Sequence, residues 1–268
     1  MRSTKYILGF ATIVCLVCSV VVSGSAVSLK DLQTINKQLD QKKKVLGVVS
    51  LYEAGEDITP EEINQRFADN IVAKLVDLET GTYVDASEEE LATFDQRKAR
   101  QNPESSKEAE DNAAKVGRVP NHALVYLKTK GGKVENLILP IEGKGLWSTL
   151  YGYLALEATD TNTIAGITFY DHGETPGLGG EIENPSWLAL WPGRKAYEAK
   201  GGKWTAKINV KKGVAGSPAE DPYQVDGLSG ATITSRGVGA LLRFWLEDDR
   251  FGAYLANFRD KTLKGGQG

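Results

Sequence analysis

The feature that most constrains this chain is an uncharged stretch near the N-terminus, residues 6–29, which lies between Lys5 and Lys30. A helix of that length rises roughly 36 Å at about 1.5 Å per residue, and the hydrocarbon core of a bilayer is about 30 Å thick. The stretch therefore predicts one membrane-spanning helix. Because Arg2 and Lys5 precede it, we expect the N-terminus on the cytoplasmic side and the rest of the chain outside the cytoplasm.

A cleaved signal peptide is the alternative for the same segment, because residues 23–26 read Ser-Gly-Ser-Ala after an apolar run. The run over residues 6–22 is longer than the apolar region of a typical signal peptide, which favours an uncleaved anchor. Cys15 and Cys18 lie inside the stretch. We interpret them as small apolar groups in lipid rather than as metal ligands.

The composition of the chain limits its chemistry. The 268 residues include 32 basic and 35 acidic side chains, two Cys, two His and one Met, with a formal charge of −3. Because Arg2 and Lys5 carry two positive charges, the part after the anchor carries −5. An acidic balance argues against a nucleic-acid binder. The small number of Cys and His residues argues against metal clusters and a disulfide scaffold. Any redox chemistry of this chain would therefore need an organic cofactor.

Helical and strand patterns alternate after the anchor, which predicts an α+β fold with a mixed, largely antiparallel sheet. Apolar residues at helical spacing over residues 29–39 predict that the anchor helix continues beyond the membrane. Residues 59–62 read Thr-Pro-Glu-Glu, a helix start with a capping residue and a first-turn proline, and Ile63, Phe67 and Ile71 then recur every four residues.

Apolar runs at residues 122–128 and 134–140 flank a Gly-Gly pair, which predicts a β-hairpin. Further strands are expected at 164–170 and 204–210, and helices at 185–191 and 232–245. We expect three parts: an anchor at 1–29, a helical and variable segment at 30–118, and a domain at 119–268. Within the second part, residues 87–115 are charged and poor in large apolar residues, which indicates a solvated helix or a mobile excursion outside the core.

The segment from Asp226 to Thr232 reads Asp-Gly-Leu-Ser-Gly-Ala-Thr and precedes an amphipathic helix pattern. A turn rich in Gly and Ser that enters a helix offers free backbone N–H groups and the positive end of the helix dipole, which suit a phosphate. The same residues are explained if Ser229 or Thr232 merely caps the helix. Both interpretations stay open on the residues alone.

Two further segments carry more specific information than a core requires. Residues 173–181 read Gly-Glu-Thr-Pro-Gly-Leu-Gly-Gly-Glu, a tight loop whose backbone can approach a ligand, although a plain turn is the alternative. His172 precedes this loop as a possible proton donor or, more simply, an exposed or capping histidine. Residues 143–148 read Gly-Lys-Gly-Leu-Trp-Ser, in which Trp147 packs either on a ligand or in the core.

The string Asp-x-x-Ser-Gly-Ala-Thr resembles the flavinylation motif of FMN-binding domains in the NqrC proteins of Na⁺-translocating NADH:quinone reductases and in the related RnfG proteins of Rnf complexes. The resemblance implies that FMN is joined by a phosphoester bond to the hydroxyl of Thr232. It implies that a flavin transferase makes the bond outside the cytoplasm from FAD with Mg²⁺. Ser229, Gly230 and Ala231 would form the cofactor-binding turn, and Asp226 would be recognised by the transferase.

The loop Glu-Thr-Pro-Gly-Leu-Gly resembles a second motif of the same family, which borders the flavin ring. The resemblance implies polar contacts to the ring from Glu174 and Thr175 and an apolar contact from Leu178 beside Gly179, with Trp147 nearby. The Gly-Leu-Trp string and residues 181–187 (Glu-Ile-Glu-Asn-Pro-Ser-Trp) are more similar to NqrC than to RnfG. The matches follow one another in order across almost the whole chain.

The resemblance implies a covalently flavinylated electron-transfer subunit of a Na⁺-translocating NADH:quinone oxidoreductase in the bacterial inner membrane. Its FMN would take electrons from an iron centre in the membrane subunits and pass them toward quinone through another FMN in a neighbouring subunit. We expect no acid–base catalytic residue and no metal site in this chain. The alternatives are an RnfG-type protein of a ferredoxin:NAD⁺ oxidoreductase, and a membrane-anchored binding or sensory domain without flavin.

Overall fold

The computed structural model describes residues 3–53 and 55–263, and its first part is a long N-terminal helix. Helix α1 runs over Thr4–Val48 and is the one helix in that described part long and apolar enough to cross a membrane. It confirms that the helical pattern continues past residue 29. The chain divides into two compact units, Met1–Lys42 and Lys43–Gly268.

The second unit combines short helices with a sheet. Its helices are α2 (Pro60–Asn70), α3 (Glu88–Thr93), α4 (Gln96–Gln101), α5 (Pro185–Leu188), α6 (Thr232–Trp245) and α7 (Ala253–Leu263). Its strands are β1 (Ile71–Asp77), β2 (Thr82–Val84), β3 (Ser106–Glu108), β4 (Arg118–Pro120), β5 (His122–Lys130), β6 (Lys133–Lys144), β7 (Thr149–Glu157), β8 (Ile164–Asp171), β9 (Tyr197–Lys200), β10 (Lys203–Ala206), β11 (Asn209–Val210) and β12 (Gln224–Val225).

The main sheet has six strands in the order β2-β1-β5-β6-β7-β8, and each neighbouring pair is antiparallel. The two-stranded sheets β3-β4 and β9-β10 are also antiparallel, whereas β11 and β12 pair in parallel. The predicted α+β fold with a mixed, largely antiparallel sheet is therefore confirmed.

Helix α6 covers one face of the main sheet. Successive side chains of a strand point to opposite faces, and on this face Leu139 and Leu154 belong to the same buried cluster as Leu241 of α6. The indole Nε1 of Trp245 donates a 2.7 Å hydrogen bond to the carbonyl oxygen of Glu142 in β6. These contacts fix the helix, and hence its N-terminus, against the centre of the sheet.

Aromatic side chains and the neighbouring helix α2 cover the opposite face. Phe67 of α2 packs edge-on against Tyr126 of β5, with ring centroids 5.8 Å apart. Tyr126 in turn contacts Tyr153 of β7, which stacks on Tyr170 of β8 at 5.0 Å. A sheet covered on both faces explains why the central strands are almost continuously buried.

Several local predictions are confirmed. Strands β5 and β6 form the expected hairpin, with both turn glycines, Gly131 and Gly132, at positive φ. The side chain of Thr59 and that of Glu62 form a reciprocal capping box at the start of α2. Helix α6 occupies the expected residues.

Other boundaries differ from the expectation. The spacing of four that includes Ile71 crosses the end of α2, because Ile71 already begins strand β1. The strand expected at 204–210 is divided between β10 and β11, and the helix expected at 185–191 ends at Leu188. Strand β7 is an element for which the sequence gives no expectation above.

The charged segment over residues 87–115 contains solvated helices, as expected, because neither α3 nor α4 has a buried residue, but the segment also contacts the core. Arg100 of α4 forms a 3.0 Å ion pair with the buried Glu142, and the guanidinium of Arg97 lies 3.4 Å from the ring centre of Tyr151. Ala114 is fully buried in the core. The expectation that the whole segment lies outside the core was wrong, because arginine side chains can cover aromatic surface while keeping their charge paired.

The expected boundary between residues 118 and 119 does not appear in the fold. Strand β1 pairs with β5 along its whole length, from Ile71 opposite Lys128 to Asp77 opposite His122. Residues before position 119 therefore supply strands of the same sheet as the residues after it. The structural division falls instead at Lys42, inside α1.

Candidate functional site

The three motifs meet at the carboxylate of Glu174. Its Oε1 accepts hydrogen bonds from the backbone N–H of Trp147 (2.9 Å) and of Ser148 (3.1 Å). Its Oε2 accepts from the N–H of Leu146 (3.0 Å) and from the hydroxyl of Thr234 (2.6 Å). One side chain thus joins the glycine-rich loop (residues 173–180), the Gly-Leu-Trp loop (residues 145–148) and the first turn of α6.

The four donors keep Glu174 ionised although the residue is only 5% exposed. Burial alone would raise the pKa of its carboxyl group. The Thr234 hydroxyl and the three backbone N–H groups outweigh burial and hold the pKa below its ordinary value. The carboxylate of Glu174 therefore links the two loops and helix α6. The predicted polar contact of Glu174 to a flavin ring stays a prediction.

Glycines allow the loops to approach so closely. A Cβ atom at Gly179 would lie 2.6 Å from the hydroxyl oxygen of Thr234 and 2.7 Å from Oε2 of Glu174. A Cβ atom at Gly145 would lie 2.7 Å from Oε1 of Glu174, and one at Gly237 of α6 would lie 2.4 Å from a backbone carbonyl oxygen. The packing roles of Gly145 and Gly237 were missed from the sequence, because nothing local marks a glycine that faces a distant loop.

The N-terminus of α6 has no side-chain cap. Ala231 occupies the capping position, its side chain accepts no hydrogen bond, and the first turn contains no acidic residue. The first backbone N–H groups of a helix have no partner within the helix. Neither Ser229 nor Thr232 caps α6, so the capping interpretation of this motif was wrong, and the N–H groups of the first turn are available to an anion.

The hydroxyl groups of the motif differ in accessibility. Thr232 and Ser229 are exposed, whereas Thr234 and Ser235 are buried. The hydroxyl of Thr234 is bonded to Glu174, and that of Ser235 accepts a 3.0 Å hydrogen bond from the N–H of Leu228. An incoming group can therefore reach two of these four hydroxyls, and Thr232 is the one on the helix itself.

The turn before α6 is held by Asp226. Its carboxylate Oδ1 accepts a 2.8 Å hydrogen bond from the N–H of Ala215, and its carbonyl oxygen accepts one of 2.8 Å from Nε1 of Trp187. Gly230 follows at φ +71°, and a Cβ atom there would lie 3.0 Å from Cδ2 of Leu178. The turn of Ser229, Gly230 and Ala231 therefore lies directly beside the glycine-rich loop.

Large apolar side chains are exposed around this junction. Trp147 is 66% exposed, and Leu146, Leu178 and Ile233 are also exposed. The exposure of Trp147 overturns the interpretation that it anchors the core. Thr175 is exposed as well, and its carbonyl oxygen accepts hydrogen bonds from two N–H groups of the loop. These exposed apolar side chains could pack against a planar ring system of a bound ligand.

His172 is engaged within the protein. Its Nδ1 accepts a 3.2 Å hydrogen bond from the N–H of Glu174, and its Nε2 lies 3.3 Å from Oε2 of Glu183. These contacts favour a role in shaping the loop over that of an exposed proton donor. In the described part of the chain, no group of His, Cys, Asp and Glu side chains is arranged to hold a metal ion.

Comparison with known proteins gives a consistent result. The model of the FMN-binding domain family matches residues 145–247, a range that contains all three motifs. The NqrC protein of the Na(+)-translocating NADH-quinone reductase of Pseudomonas aeruginosa is 46% identical over 260 residues, which are 96% of this chain and 97% of that protein. The chain belongs to this NqrC family. The NqrC protein of Yersinia pestis is 43% identical over 95% of this chain and 92% of the relative.

Solved structures of the family share the fold. NqrC of Shewanella oneidensis superposes with a TM-score of 0.74 at 33% identity, covering 84% of this chain and 99% of that one. The corresponding NADH-quinone reductase protein of Parabacteroides distasonis gives a TM-score of 0.63 at 28% identity, covering 85% and 96%. Family membership supports NqrC over the RnfG alternative, and the FMN-binding domain match favours a flavoprotein over a flavin-free sensory domain.

Proposed function

We propose that this chain is the electron-transfer subunit of the NqrC type in a Na⁺-translocating NADH:quinone oxidoreductase, with FMN esterified through its phosphate to the hydroxyl of Thr232. The observation that carries the proposal is the N-terminus of α6. There an exposed threonine hydroxyl adjoins uncapped backbone N–H groups in a first helical turn that contains no acidic residue. Those N–H groups and the helix dipole favour a phosphate at this hydroxyl.

The residues of the site fit FMN in two ways. The first turn of α6 and the backbone of Ser229, Gly230 and Ala231 would hold the phosphate, and the exposed faces of Trp147 and Leu178 would cover part of the ring system. Gly179 leaves the room that the close approach of the loops requires. FMN supplies a group that accepts and releases electrons, and the chain positions that group and shields part of it from water.

Attachment of FMN requires one group-transfer reaction. With FAD as the donor and Mg²⁺ on a flavin transferase, the hydroxyl oxygen of Thr232 would form the new bond to the phosphorus of the FMN half as the bond from that phosphorus to the bridging oxygen of FAD breaks. AMP would leave with the bridging oxygen, and the proton of the threonine hydroxyl would be released. Asp226 would present the motif to the transferase, a role compatible with its present position in the turn.

The protein works in the membrane together with other subunits of the complex. We assign residues 6–29 of α1 as its single membrane anchor, with the N-terminus in the cytoplasm and the sheet domain in the periplasm. An iron centre in the membrane subunits would deliver electrons to the FMN, and an FMN of a neighbouring subunit would receive them on the way to quinone. Neither NADH nor quinone would bind to this chain.

Turnover of the complete complex tests the proposal. The Thr232→Ala complex should assemble but lose NADH-driven quinone reduction, because electrons would have no flavin to pass through in this protein. Ser229→Ala, which removes the other exposed hydroxyl of the motif, is the matched control and should keep its turnover. Full quinone reduction by an assembled Thr232→Ala complex would contradict the assignment.

A further inference from the structure

A groove of about 610 Å³ runs beside α6 and is lined by basic side chains. Lys115, Lys144, Arg236 and Arg243 border it, whereas none of its described lining residues is acidic. The part of the chain after the anchor has a net charge of −5, so this concentration of positive charge is not a reflection of composition. Local charge of one sign in a concave surface raises the concentration of partners of the opposite sign.

Among the described residues, three of these four cations form no ion pair with a carboxylate. Lys144 donates to the carbonyl oxygen of Trp147 at 3.1 Å, and Arg243 donates to the side-chain oxygen of Asn209 at 2.6 Å. Arg236 is exposed and forms no ion pair within residues 3–53 and 55–263. Lys115 forms an ion pair with the exposed Asp111 at 2.8 Å.

The groove adjoins the flavin site. Ile233, Arg236 and Arg243 lie at positions i, i+3 and i+10 of α6 and so share one face of the helix that begins at Thr232. Gly145 of the Gly-Leu-Trp loop lines the groove as well. The positive surface therefore begins where the apolar surface of the candidate site ends.

We infer that this groove is the docking surface for a carboxylate-rich face of a neighbouring subunit that exchanges electrons with the flavin. The inference rests on the proposed function. An acidic partner surface is favoured because Arg236 and Arg243 lie seven residues apart on α6, while Lys115 and Lys144 border the groove from two other segments. Four cations from three segments match an extended surface better than a single small anion. Docking beside α6 would bring the partner's own redox group toward the exposed apolar rim.

Charge reversal in the assembled complex tests the inference. Arg236→Glu should slow NADH-driven quinone reduction about tenfold at low ionic strength and constant sodium, because it places a negative charge opposite the partner's carboxylates. Arg236→Gln should have an intermediate effect. Lys203→Glu, an exposed residue of β10 that does not line the groove, is the matched control and should leave turnover unchanged.

Two measurements separate the possible outcomes. The flavin content of this protein is measured in the complex without substitutions and in each variant. If the complex without substitutions carries no flavin on this protein, the proposed function is refuted rather than the docking surface. Carbodiimide treatment of the unmodified complex should join Lys144 to an Asp or Glu of another subunit. If flavin is present and Arg236→Glu turns over like Lys203→Glu, the inference is wrong. Reduced binding of Arg236→Glu to vesicles containing anionic lipid, with unchanged turnover, would likewise refute it and assign the groove to lipid.

Discussion

Replacing Glu174 by Gln tests the junction of the three motifs most sharply. The change preserves the shape of the side chain but exchanges one acceptor oxygen for an NH₂ donor. The carboxylate accepts from three backbone N–H groups and from Thr234, so in either orientation of the amide at least one part-buried N–H faces another donor. The remaining bonds lose the contribution of the full negative charge.

The expected cost follows from these contacts. An unpaired buried donor costs about 1–3 kcal/mol, and hydrogen bonds to a charged group contribute about 1.5–3 kcal/mol against roughly 1 for neutral ones. We therefore expect Glu174→Gln to lower the free energy of unfolding by about 2–4 kcal/mol. Urea unfolding of the full chain in detergent measures this value. Thr175→Val, on the neighbouring exposed residue, is the control and should change stability by less than about 0.5 kcal/mol.

The pH dependence gives an independent test of the same reasoning. Because the pKa of Glu174 is lower in the folded chain than the ordinary value of 4.5, its stabilising effect is complete above that value. It should disappear as the pH falls through the pKa of the folded state. The difference between the original chain and Glu174→Gln should therefore shrink in acid. A variant as stable as Thr175→Val, or a difference that does not depend on pH, would refute this account of the junction.

Three other substitutions have defined outcomes. Arg100→Met leaves Glu142 buried without its ion-pair partner and should lower the free energy of unfolding by about 3–5 kcal/mol, measured with urea near pH 8. Because burial raises the pKa of Glu142, this loss of stability should be smaller near pH 5. Gly179→Ala brings a Cβ atom within 2.6 Å of a hydroxyl oxygen and should cost about 1–3 kcal/mol, whereas Gly173→Ala, with its nearest heavy atom at 3.4 Å, should be nearly neutral. Trp147→Ala should leave stability almost unchanged, given the 66% exposure of the residue, but should alter the fluorescence of bound flavin; an unfolding loss above about 1 kcal/mol without a flavin signal would contradict its place at the ring.

Local chemistry made much of the fold predictable. The capping box of α2, the hairpin of β5 and β6, and the amphipathic helix α6 each depend on residues close together in the sequence. Strand β7 lies between two strands and between two covered faces, so its burial shows neither the alternation of a half-exposed strand nor a helical period. Its position depends on pairing with β6 and β8, which the local pattern does not encode.

The site was predictable as separate motifs but not as one structure. The sequence marked the turn before Thr232 and the loop containing Glu174 as unusual. It did not show that Glu174 bonds to a hydroxyl 60 residues away and to N–H groups 26–28 residues away. Long-range hydrogen bonds arise only when the sheet brings the loops together, so the sequence could not show that Glu174 anchors the site. The polar contact of Glu174 to a flavin ring stays a prediction.

Residue-level mapping of the flavin tests the central claim most directly. The chain is produced together with a flavin transferase, and its peptides are analysed by mass spectrometry for an FMN adduct less one water. The account predicts the adduct on Thr232, its loss in Thr232→Ala, and its persistence in Ser229→Ala. An adduct that remains in Thr232→Ala, or that maps to another hydroxyl of the original chain, would contradict it.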